Sequence, residues 1–349
     1  MIINTWRAGT FLDCRQKAKR IHIDCLSPLK TPENLIKGDA VHKGLAAFFV
    51  SGDVHLAEQR AESTYRERYA DQMILPEEQV LIEQGVQFAR AAVQEYALEY
   101  PKEQFQVLHP EVEFAVELPD TKHHCWWAHH LCQPSVPFDR CLYADSQQVK
   151  YAPTDDCYQS HWFVGRTDAI VSWQGKIWLL EHKTTSLTTD GGTKAQPNFF
   201  ARFELDFQPT GYCYGVGKQL GINVNGFILN AILKPRKNSK DPFAINFDRD
   251  IFVRTKEQLA VYEREMIELA NDYERAAIEG RWYKNTHSCM NYNRKCDYLA
   301  LCKGPREPHP GEYTVRDKDY VDLRYYKLLG LEPPAVQATE FHEGNLGVE

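Results

Sequence analysis

The sequence has no long apolar segment. None of its hydrophobic runs approaches the roughly 20 residues that a helix needs to cross a bilayer. Residues 1–20 also contain no apolar stretch of the kind found in a secretion signal, and the chain has no internal repeat or low-complexity tract. We therefore expect a folded cytoplasmic protein without a membrane partner.

An excess of basic residues is missing as well. The 349 residues carry a net charge of -7, which argues against a protein that coats nucleic acid through its overall charge. Two short basic stretches, residues 15–20 and 234–240, still allow a local phosphate-contacting surface, although such runs are usually solvated faces.

The apolar content is sufficient for a large core. Hydrophobic residues make up 43% of the chain, and the length allows two domains or one domain with insertions. Helical patterns are predicted over residues 38–49, 74–100, 207–221 and 256–280. Strand patterns are predicted over residues 111–118, 161–185 and 224–235. This order predicts an α/β fold with a mixed sheet flanked by helices.

Two acidic residues interrupt the apolar runs of residues 161–185. The dipeptide Gln174-Gly175 predicts a hairpin turn, and a symmetric loop makes Asp168 and Glu181 direct cross-strand partners. Opposed Cβ atoms lie about 4.5–5.5 Å apart, and like charges placed there destabilise a sheet. Something must therefore neutralise the two acids.

A lysine shares the face of the second acid. Side chains alternate along a strand, so Lys183 lies beside Glu181 and His182 points to the other face. Asp168 could instead lie at a solvated edge, and Lys183 could merely form a salt bridge with Glu181. Three charged residues on one face within apolar runs favour a divalent cation, Mg²⁺ or Mn²⁺, bound by the two acids.

Such a site suits hydrolysis of a phosphodiester. The cation would polarise the phosphate and lower the pKa of a bound water. Lys183 would orient that water and stabilise negative charge on the phosphate. The backbone carbonyl of His182 could also reach the ion.

The spacing of Asp168 before Glu181-x-Lys183 in a hairpin resembles the PD-(D/E)xK nuclease motif. The segment GDAVHKGL resembles the Gly-x-x-x-His-x-x-Leu element of RecB-like nucleases, which implies that His42 is a metal ligand. The segment FQPTGY resembles their Gln-x-x-x-Tyr element, which implies that Gln208 and Tyr212 contact the substrate.

A cluster of cysteines extends the resemblance. Cys289, Cys296 and Cys302 are similar to the C-terminal triplet of the iron-sulfur RecB-like nucleases, whose fourth cysteine lies far upstream. Cys14 fits that position, with Cys25 as the alternative. The resemblance implies a [4Fe-4S] cluster, and a four-cysteine zinc site is the chemical alternative.

The resemblance covers residues 11–49 and 161–303. It implies a restriction-endonuclease-like core in residues 1–303, an iron-sulfur clip that joins the N- and C-terminal segments, and a polar extension over 304–349. Similar proteins are exonucleases of CRISPR adaptation and phage genomes and the nuclease domains of AddB-type enzymes. The sequence has no G-x-x-x-x-G-K-[ST] motif, so a helicase motor would be a separate partner.

The activity implied is degradation of single-stranded or frayed DNA ends, from the 5′ end. Three alternatives remain open: a non-catalytic DNA-binding or assembly subunit, an endonuclease that trims DNA ends within a recombination or spacer-capture complex, and a redox sensor built on the cluster.

Residues 120–160 depart from the family pattern. This segment is rich in histidine, cysteine and tryptophan, which permits a second metal site but more simply indicates an aromatic insertion with incidental thiols. Trp126 and Trp127 could stack on bases. On the preceding strand, either Glu111 or Glu113 could add a carboxylate to the site.

Overall fold

The structure is a computed structural model of this chain. It describes residues 2–29, 32–70, 74–119, 161–235, 244–291, 294–304 and 307–316. The chain divides into two compact units. The described residues of the first unit fall within 2–12, 29–119 and 161–274, and those of the second within 13–28 and 275–316.

The helices of the described residues include five of 14 residues or more. They are α1 (Thr5–Asp13), α2 (Arg15–Ala18), α3 (Glu33–Ser51), α4 (Val54–Glu67), α5 (Pro76–Glu99), α6 (Pro197–Ala201), α7 (Phe207–Leu220), α8 (Lys256–Glu279) and α9 (Leu299–Lys303). A π-helical turn follows α2 at Lys19–Ile23, and short 3₁₀ turns lie at Asp190–Gly192 and Thr286–Cys289.

The strands of the same residues form one large sheet and three small ones. They are β1 (Ile2–Ile3), β2 (Leu26–Pro28), β3 (Gln106–Glu117), β4 (Trp162–Trp173), β5 (Lys176–Thr185), β6 (Thr188–Thr189), β7 (Lys194–Ala195), β8 (Val224–Leu233), β9 (Asn246–Val253), β10 (Met290–Asn291), β11 (Arg294–Lys295) and β12 (Tyr313–Val315).

The large sheet belongs to the first unit and is mixed, as predicted. Its order is β1-β4-β5-β8-β9, and β3 also pairs with β4. Strand β5 runs parallel to β8, whereas the β4–β5 and β8–β9 pairs are antiparallel. Because β3 follows β4 along nearly its whole length, β1 and β5 pair with the opposite edge of β4, at its two ends.

The predicted helices over 38–49, 74–100, 207–221 and 256–280 correspond to α3, α5, α7 and α8. Helices α3, α4 and α5 share an apolar core in which Leu45, Tyr65 and Val93 are fully buried. Gly44 makes this packing close, because a Cβ atom at that position would lie 2.6 Å from Cγ2 of Val93. The close packing fixes the face of α3 that turns toward the sheet.

The connection between α3 and α4 is set by two residues. Gly52 ends α3 in the left-handed region with a φ of 67°. Asp53 then caps α4, since its carboxylate accepts hydrogen bonds from the backbone N–H groups of His55 and Leu56 at 2.8 and 3.2 Å. The two helices are thereby joined by a short, defined turn.

The second unit has its own small apolar cluster, formed by Ile21, Leu26, Tyr298, Leu301 and Tyr313. Strand β12 pairs antiparallel with β2, and the Tyr298 hydroxyl donates to the carbonyl of Leu26 at 2.8 Å. Residues near the start of the chain therefore pack within this unit against residues near position 300.

Over the residues that the structure describes, the helices are all too short or too polar to span a lipid bilayer.

Candidate active site

The hairpin of β4 and β5 has the predicted turn and register. Gln174 and Gly175 both have positive φ, 51° and 69°, as a two-residue hairpin turn requires. The ladder begins at Trp173–Lys176 and ends at Ala169–Leu180. Asp168 and Glu181 are therefore the next positions beyond its last pair.

Asp168 is held by two donors. Its Oδ1 lies 2.7 Å from Nδ1 of His42 on α3, and its Oδ2 accepts the backbone N–H of His182 at 2.8 Å. Burial alone would raise the pKa of Asp168, but the charge of His42 and its hydrogen bond outweigh burial and lower it. The Asp168 carboxylate raises the pKa of His42 in turn, against the opposing effect of burial. The two side chains thus form a partly buried ion pair.

Glu181 is almost fully buried, with 2% of its surface exposed. Its Oε1 accepts the Thr167 hydroxyl at 2.9 Å, and its Oε2 lies 3.7 Å from Nζ of Lys183. Burial, followed by the negative charge of Asp168, raises the pKa of Glu181 to about 7, and Lys183 only partly offsets this. Glu181 is thus close enough to Asp168 to sense its charge.

A chain of hydrogen bonds links the lysine to α7. Nζ of Lys183 donates to Oε1 of Gln208 at 3.0 Å, and Nε2 of Gln208 donates to the Tyr212 hydroxyl at 2.9 Å. Asp206 caps α7 by accepting the backbone N–H of Gln208 at 2.8 Å. The first turn of α7 therefore fixes the direction of the Lys183 ammonium group.

The ring of His182 points away from Glu181 and Lys183, as strand alternation predicts. It stacks on Phe49 of α3 at a centroid distance of 5.9 Å, and its Nδ1 lies 3.2 Å from Nδ2 of Asn230. Burial lowers the pKa of His182 to about 3, which keeps the imidazole neutral. His182 thus touches the site through its backbone N–H, which donates to Asp168, and through its ring, which lies edge-on to that of His42 at a centroid distance of 6.0 Å.

Four residues that make these contacts were not predicted from the sequence: Phe49, Thr167, Asp206 and Asn230. Asn230 is fully buried in β8 and is the polar residue within the apolar run FILNAIL. A buried polar residue in such a run needs a hydrogen-bond partner, so the sequence carried a usable signal at this position.

The two glutamates left open on β3 occupy different positions. Glu111 lies between the pairs Pro110–Ala169 and Val112–Thr167, which places it opposite Asp168 in register. Glu113 instead pairs with Arg166. Glu111 is therefore the acid of the two that borders the site.

The donor set fits a divalent cation of the Mg²⁺ or Mn²⁺ type. It consists of two carboxylates and one imidazole, and carboxylate oxygens are the preferred ligands of these ions. A cation would offset the repulsion that raises the pKa of Glu181. His42 is nevertheless turned onto Asp168. In the described part of the chain, no three His, Cys, Asp or Glu side chains form a ready-made metal site.

The four predicted cluster cysteines lie in the second unit. The backbone N–H of Asn285 donates to Sγ of Cys14 at 3.3 Å, and the backbone of Cys296 is hydrogen-bonded to Cys289 at 2.9 Å. Burial raises the pKa of Cys302, and Cys296 and Cys14 contribute to that rise. Burial also raises the pKa of Cys296, with a contribution from Cys289.

The alternative ligand, Cys25, has a different environment. It is buried, its Sγ lies 3.7 Å from the carbonyl oxygen of Ile23, and its φ is 54°.

The positive charges that act on Cys296 and Cys302 come from Lys17, Arg20 and Lys284. These basic side chains favour the thiolate form of Cys296 and Cys302, whereas burial favours the thiol form of both.

The predicted insertion, with His123, His124, Trp126, Trp127 and the neighbouring cysteines, lies outside the described residues. Most of the predicted extension from residue 304 also lies outside them; its described part includes β12.

The mixed sheet and its flanking helices form a restriction-endonuclease-like α/β fold. Residues 6–303 match the family model of the PD-(D/E)XK nuclease superfamily. The chain belongs to this superfamily, which confirms the predicted resemblance to PD-(D/E)xK nucleases.

A crystal structure of a candidate exonuclease from Eubacterium rectale is similar to this chain with a TM-score of 0.44 and 12% sequence identity. The match covers 88% of this chain and 89% of that chain. No curated protein matches the sequence.

Proposed function

We propose that the chain is a metal-dependent deoxyribonuclease whose active site is formed by Asp168, Glu181 and Lys183. Membership of a nuclease superfamily supports phosphodiester hydrolysis. The observation that carries the proposal is the proximity of the buried Glu181 carboxylate to the partly buried Asp168 carboxylate, because burial and then the charge of Asp168 raise the pKa of Glu181 to about 7. Such an arrangement is costly for folding alone and is typical of functional sites.

Asp168 and Glu181 would hold Mg²⁺ or Mn²⁺, with His42 and the backbone of His182 beside them. When bound, the cation would supply a Lewis acid for the scissile phosphate and a water with a lowered pKa. Thr167 and the His182 amide orient the two carboxylates through hydrogen bonds of 2.9 and 2.8 Å. The protein thus holds both carboxylates in a defined orientation before a cation binds.

Lys183 would hold the attacking water and stabilise negative charge on the phosphate. Its ammonium group is directed by Gln208 at 3.0 Å and lies 3.7 Å from Glu181. A lysine fixed by one neutral and one acidic partner keeps its third donor position available for substrate. Tyr212 orients Gln208 and would also border the substrate strand.

The preferred substrate that we propose is single-stranded or frayed DNA, degraded from the 5′ end. This choice of substrate rests on the resemblance of the sequence to RecB-like exonucleases. On the same resemblance, we propose a partner from a helicase, recombination or spacer-capture complex.

The second cofactor that we propose is a [4Fe-4S] cluster bound by Cys14, Cys289, Cys296 and Cys302. It would supply a structural link among thiolates far apart in the sequence. Support comes from the amide that donates to Cys14 at 3.3 Å and from the neighbouring basic residues.

The cluster is tested by colour and metal content. Anaerobically purified protein should absorb near 400 nm and contain about four iron atoms per chain. Cys14→Ser should lose the absorbance, whereas Cys213→Ser, which changes a buried thiol on α7 of the first unit, should keep it. Stoichiometric zinc without iron would show that the four cysteines bind zinc and not an iron-sulfur cluster. Equal iron content in the two variants would show that Cys14 is not a ligand of the cluster.

The enzyme is tested with oligonucleotides labelled at either end, in Mn²⁺, in Mg²⁺ and in EDTA. Lys183→Ala should lower the cleavage rate by about 10²- to 10⁴-fold while DNA binding is unchanged. Lys176→Ala removes an exposed lysine from the same strand and should have no effect. Wild-type protein that binds DNA but cuts no single-stranded, duplex or flapped substrate in either metal would instead be a binding subunit.

A further inference from the structure

A cleft of about 450 Å³ opens between α3, α4 and β3 in the first unit. We call it the α3–α4 cleft; it is lined by Lys43, Ala46, Ala47, Val50, Ser51, Leu56, Arg60, Pro110 and Glu111. Most of the lining is apolar, and two basic side chains and one acid lie among it. A cleft of this size can hold a nucleotide.

The α3–α4 cleft adjoins the proposed active site. Lys43 follows His42 directly, and Ala46 lies one helical turn after His42 on α3. On the sheet side, Glu111 lies opposite Asp168 in the register of β3 and β4. A strand whose phosphate reached Asp168 would therefore pass this cleft.

Glu111 holds two cations at the edge of the cleft. Its carboxylate accepts Nζ of Lys43 at 2.7 and 2.9 Å, and a guanidinium nitrogen of Arg166 lies 3.4 Å away. Both cations are partly buried, with side-chain exposures of 23% and 29%. Arg60 adds a further positive charge to the lining.

The backbone of Glu111 is also unusual. Its φ is 48°, in a region that side-chain-bearing residues seldom adopt. Conformations of this kind cluster at ligand-binding and catalytic sites. Glu111 therefore has an unusual backbone conformation within strand β3, and its carboxylate is held by Lys43 and Arg166.

We propose that Lys43 and Arg166 form a phosphate-binding site for the DNA strand, that the α3–α4 cleft takes the adjoining nucleotide, and that Glu111 occupies this phosphate site in the free protein. This inference rests on the proposed function. Carboxylate and phosphate oxygens accept the same paired donors, so a phosphate replaces the Glu111 carboxylate at the two cations. The apolar lining then contacts the sugar and base.

The first test measures binding of a fluorescein-labelled single-stranded DNA of about 20 nucleotides in EDTA, where cleavage is absent. Lys43→Gln should weaken binding about tenfold and lower the slope of log K against log salt by about 0.7, the value for one phosphate contact. Lys218→Gln is the matched control, because Lys218 also pairs with a glutamate, at 2.8 Å, but on α7. Equal losses in the two variants would overturn the phosphate site.

The second test removes the competing acid. Glu111→Gln should strengthen DNA binding by about threefold or more and steepen the salt slope, because phosphate no longer displaces a carboxylate. Glu263→Gln, which removes the partner of Lys218, controls for the change in net charge. The gain from Glu111→Gln should shrink in the background of Lys43→Gln. No gain over Glu263→Gln would show that Glu111 does not occupy the phosphate site.

The third test concerns the cleft itself. Val50→Glu places an acid in the lining at a residue that is 75% exposed, and should weaken DNA binding about tenfold with little effect on folding. Leu35→Glu changes another exposed residue of α3, 65% accessible, and should leave binding unchanged. Equal effects would mean that the strand does not enter the cleft.

These measurements separate the inference from the proposed function. If the protein bound DNA through Lys43 but cut no DNA in Mn²⁺, the phosphate site would be supported and the proposed nuclease activity would be contradicted. If the protein cut DNA but its DNA affinity did not change in Lys43→Gln, Glu111→Gln and Val50→Glu, the nuclease activity would be supported. The phosphate site and the role of the cleft would then be contradicted.

Discussion

At the scale of single residues, the two central acids differ in their partners. Asp168 has an ion pair with His42, which lowers its pKa despite burial. Glu181 has a neutral hydroxyl and a lysine 3.7 Å away, and its pKa is raised to about 7. Glu181 is therefore the carboxylate that gains most from a nearby divalent cation.

Gln208 is predicted to act by positioning Lys183. Gln208→Leu removes the acceptor 3.0 Å from the lysine ammonium group but keeps the side chain's size. We expect kcat to fall by about 10- to 100-fold at saturating DNA, with KM changed less, because the lysine acts mainly in the transition state. Steady-state kinetics with a labelled oligonucleotide measure the two constants.

Gln219→Leu is the control for this prediction, since Gln219 lies at the other end of α7 and accepts the backbone N–H of Ala115. Its kcat should match that of the wild type. If Gln208→Leu changed KM alone, Gln208 would bind substrate and would not direct Lys183.

His161 is predicted to make stability depend on pH. Burial lowers the pKa of His161 to about 4, below the value near 6.5 of an unfolded chain. Between these values the unfolded state binds more protons, so the free energy of unfolding falls as the pH drops from about 6.5 toward 4. The loss from this residue is up to about 3 kcal/mol.

Urea unfolding at pH 7 and pH 5 measures this dependence in the wild type and in His161→Gln. The variant can still donate to Asn271, whose Oδ1 lies 3.2 Å from Nε2 of His161. Its stability should fall less between the two pH values. Parallel curves for the two proteins would remove His161 as the source of the pH dependence.

At the scale of elements, a buried charge network joins the edge strand β9 to α5. Arg249 of β9 forms a two-point salt bridge with Glu103 at 2.7 and 2.8 Å, and both bind the Tyr96 hydroxyl. Nε of Arg249 also donates to Asn230 at 2.8 Å, and Asn230 contacts His182. The edge of the sheet is thereby connected to the strand that carries Glu181.

Glu103→Gln is predicted to destabilise the fold strongly. It leaves the mostly buried guanidinium of Arg249, 17% exposed, without its carboxylate. Loss of one partner of such a pair costs about 3 kcal/mol. Urea denaturation gives the change in the free energy of unfolding.

Glu67→Gln serves as the comparison, because its partner Arg60 lies 3.8 Å away on the surface. We expect less than about 1 kcal/mol there. If Glu103→Gln and Glu67→Gln lowered the free energy of unfolding by similar amounts, the network on β9 would stabilise the fold no more than a surface ion pair does.

At the scale of the whole molecule, the sequence predicted the sheet and the hairpin better than the connections. The turn at Gln174-Gly175 determined the register, so the positions of Asp168 and Glu181 followed from counting residues. Helix α4 was not predicted; its residues are polar on average, and its buried positions are the small or partly polar Ala57, Ala61, Thr64 and Tyr65.

Strand β9 was also not predicted. Its sequence, NFDRDIFV, is rich in charge, and the partner that accommodates Arg249 lies 146 residues away in the chain. Likewise, His42 and Gln208 reach the hairpin from separate helices. Periodicity does not report such contacts, and the family resemblance alone suggested the roles of these two residues.

The central claim is that Asp168 and Glu181 together bind one divalent cation beside Lys183. Its most direct test is Mn²⁺ binding, followed by electron paramagnetic resonance in the absence of DNA. We predict about one Mn²⁺ per chain in wild-type protein and in Lys176→Ala, and loss of that ion, by at least about tenfold in affinity, in Asp168→Asn and in Glu181→Gln. Unchanged Mn²⁺ binding in both acid variants would contradict the claim.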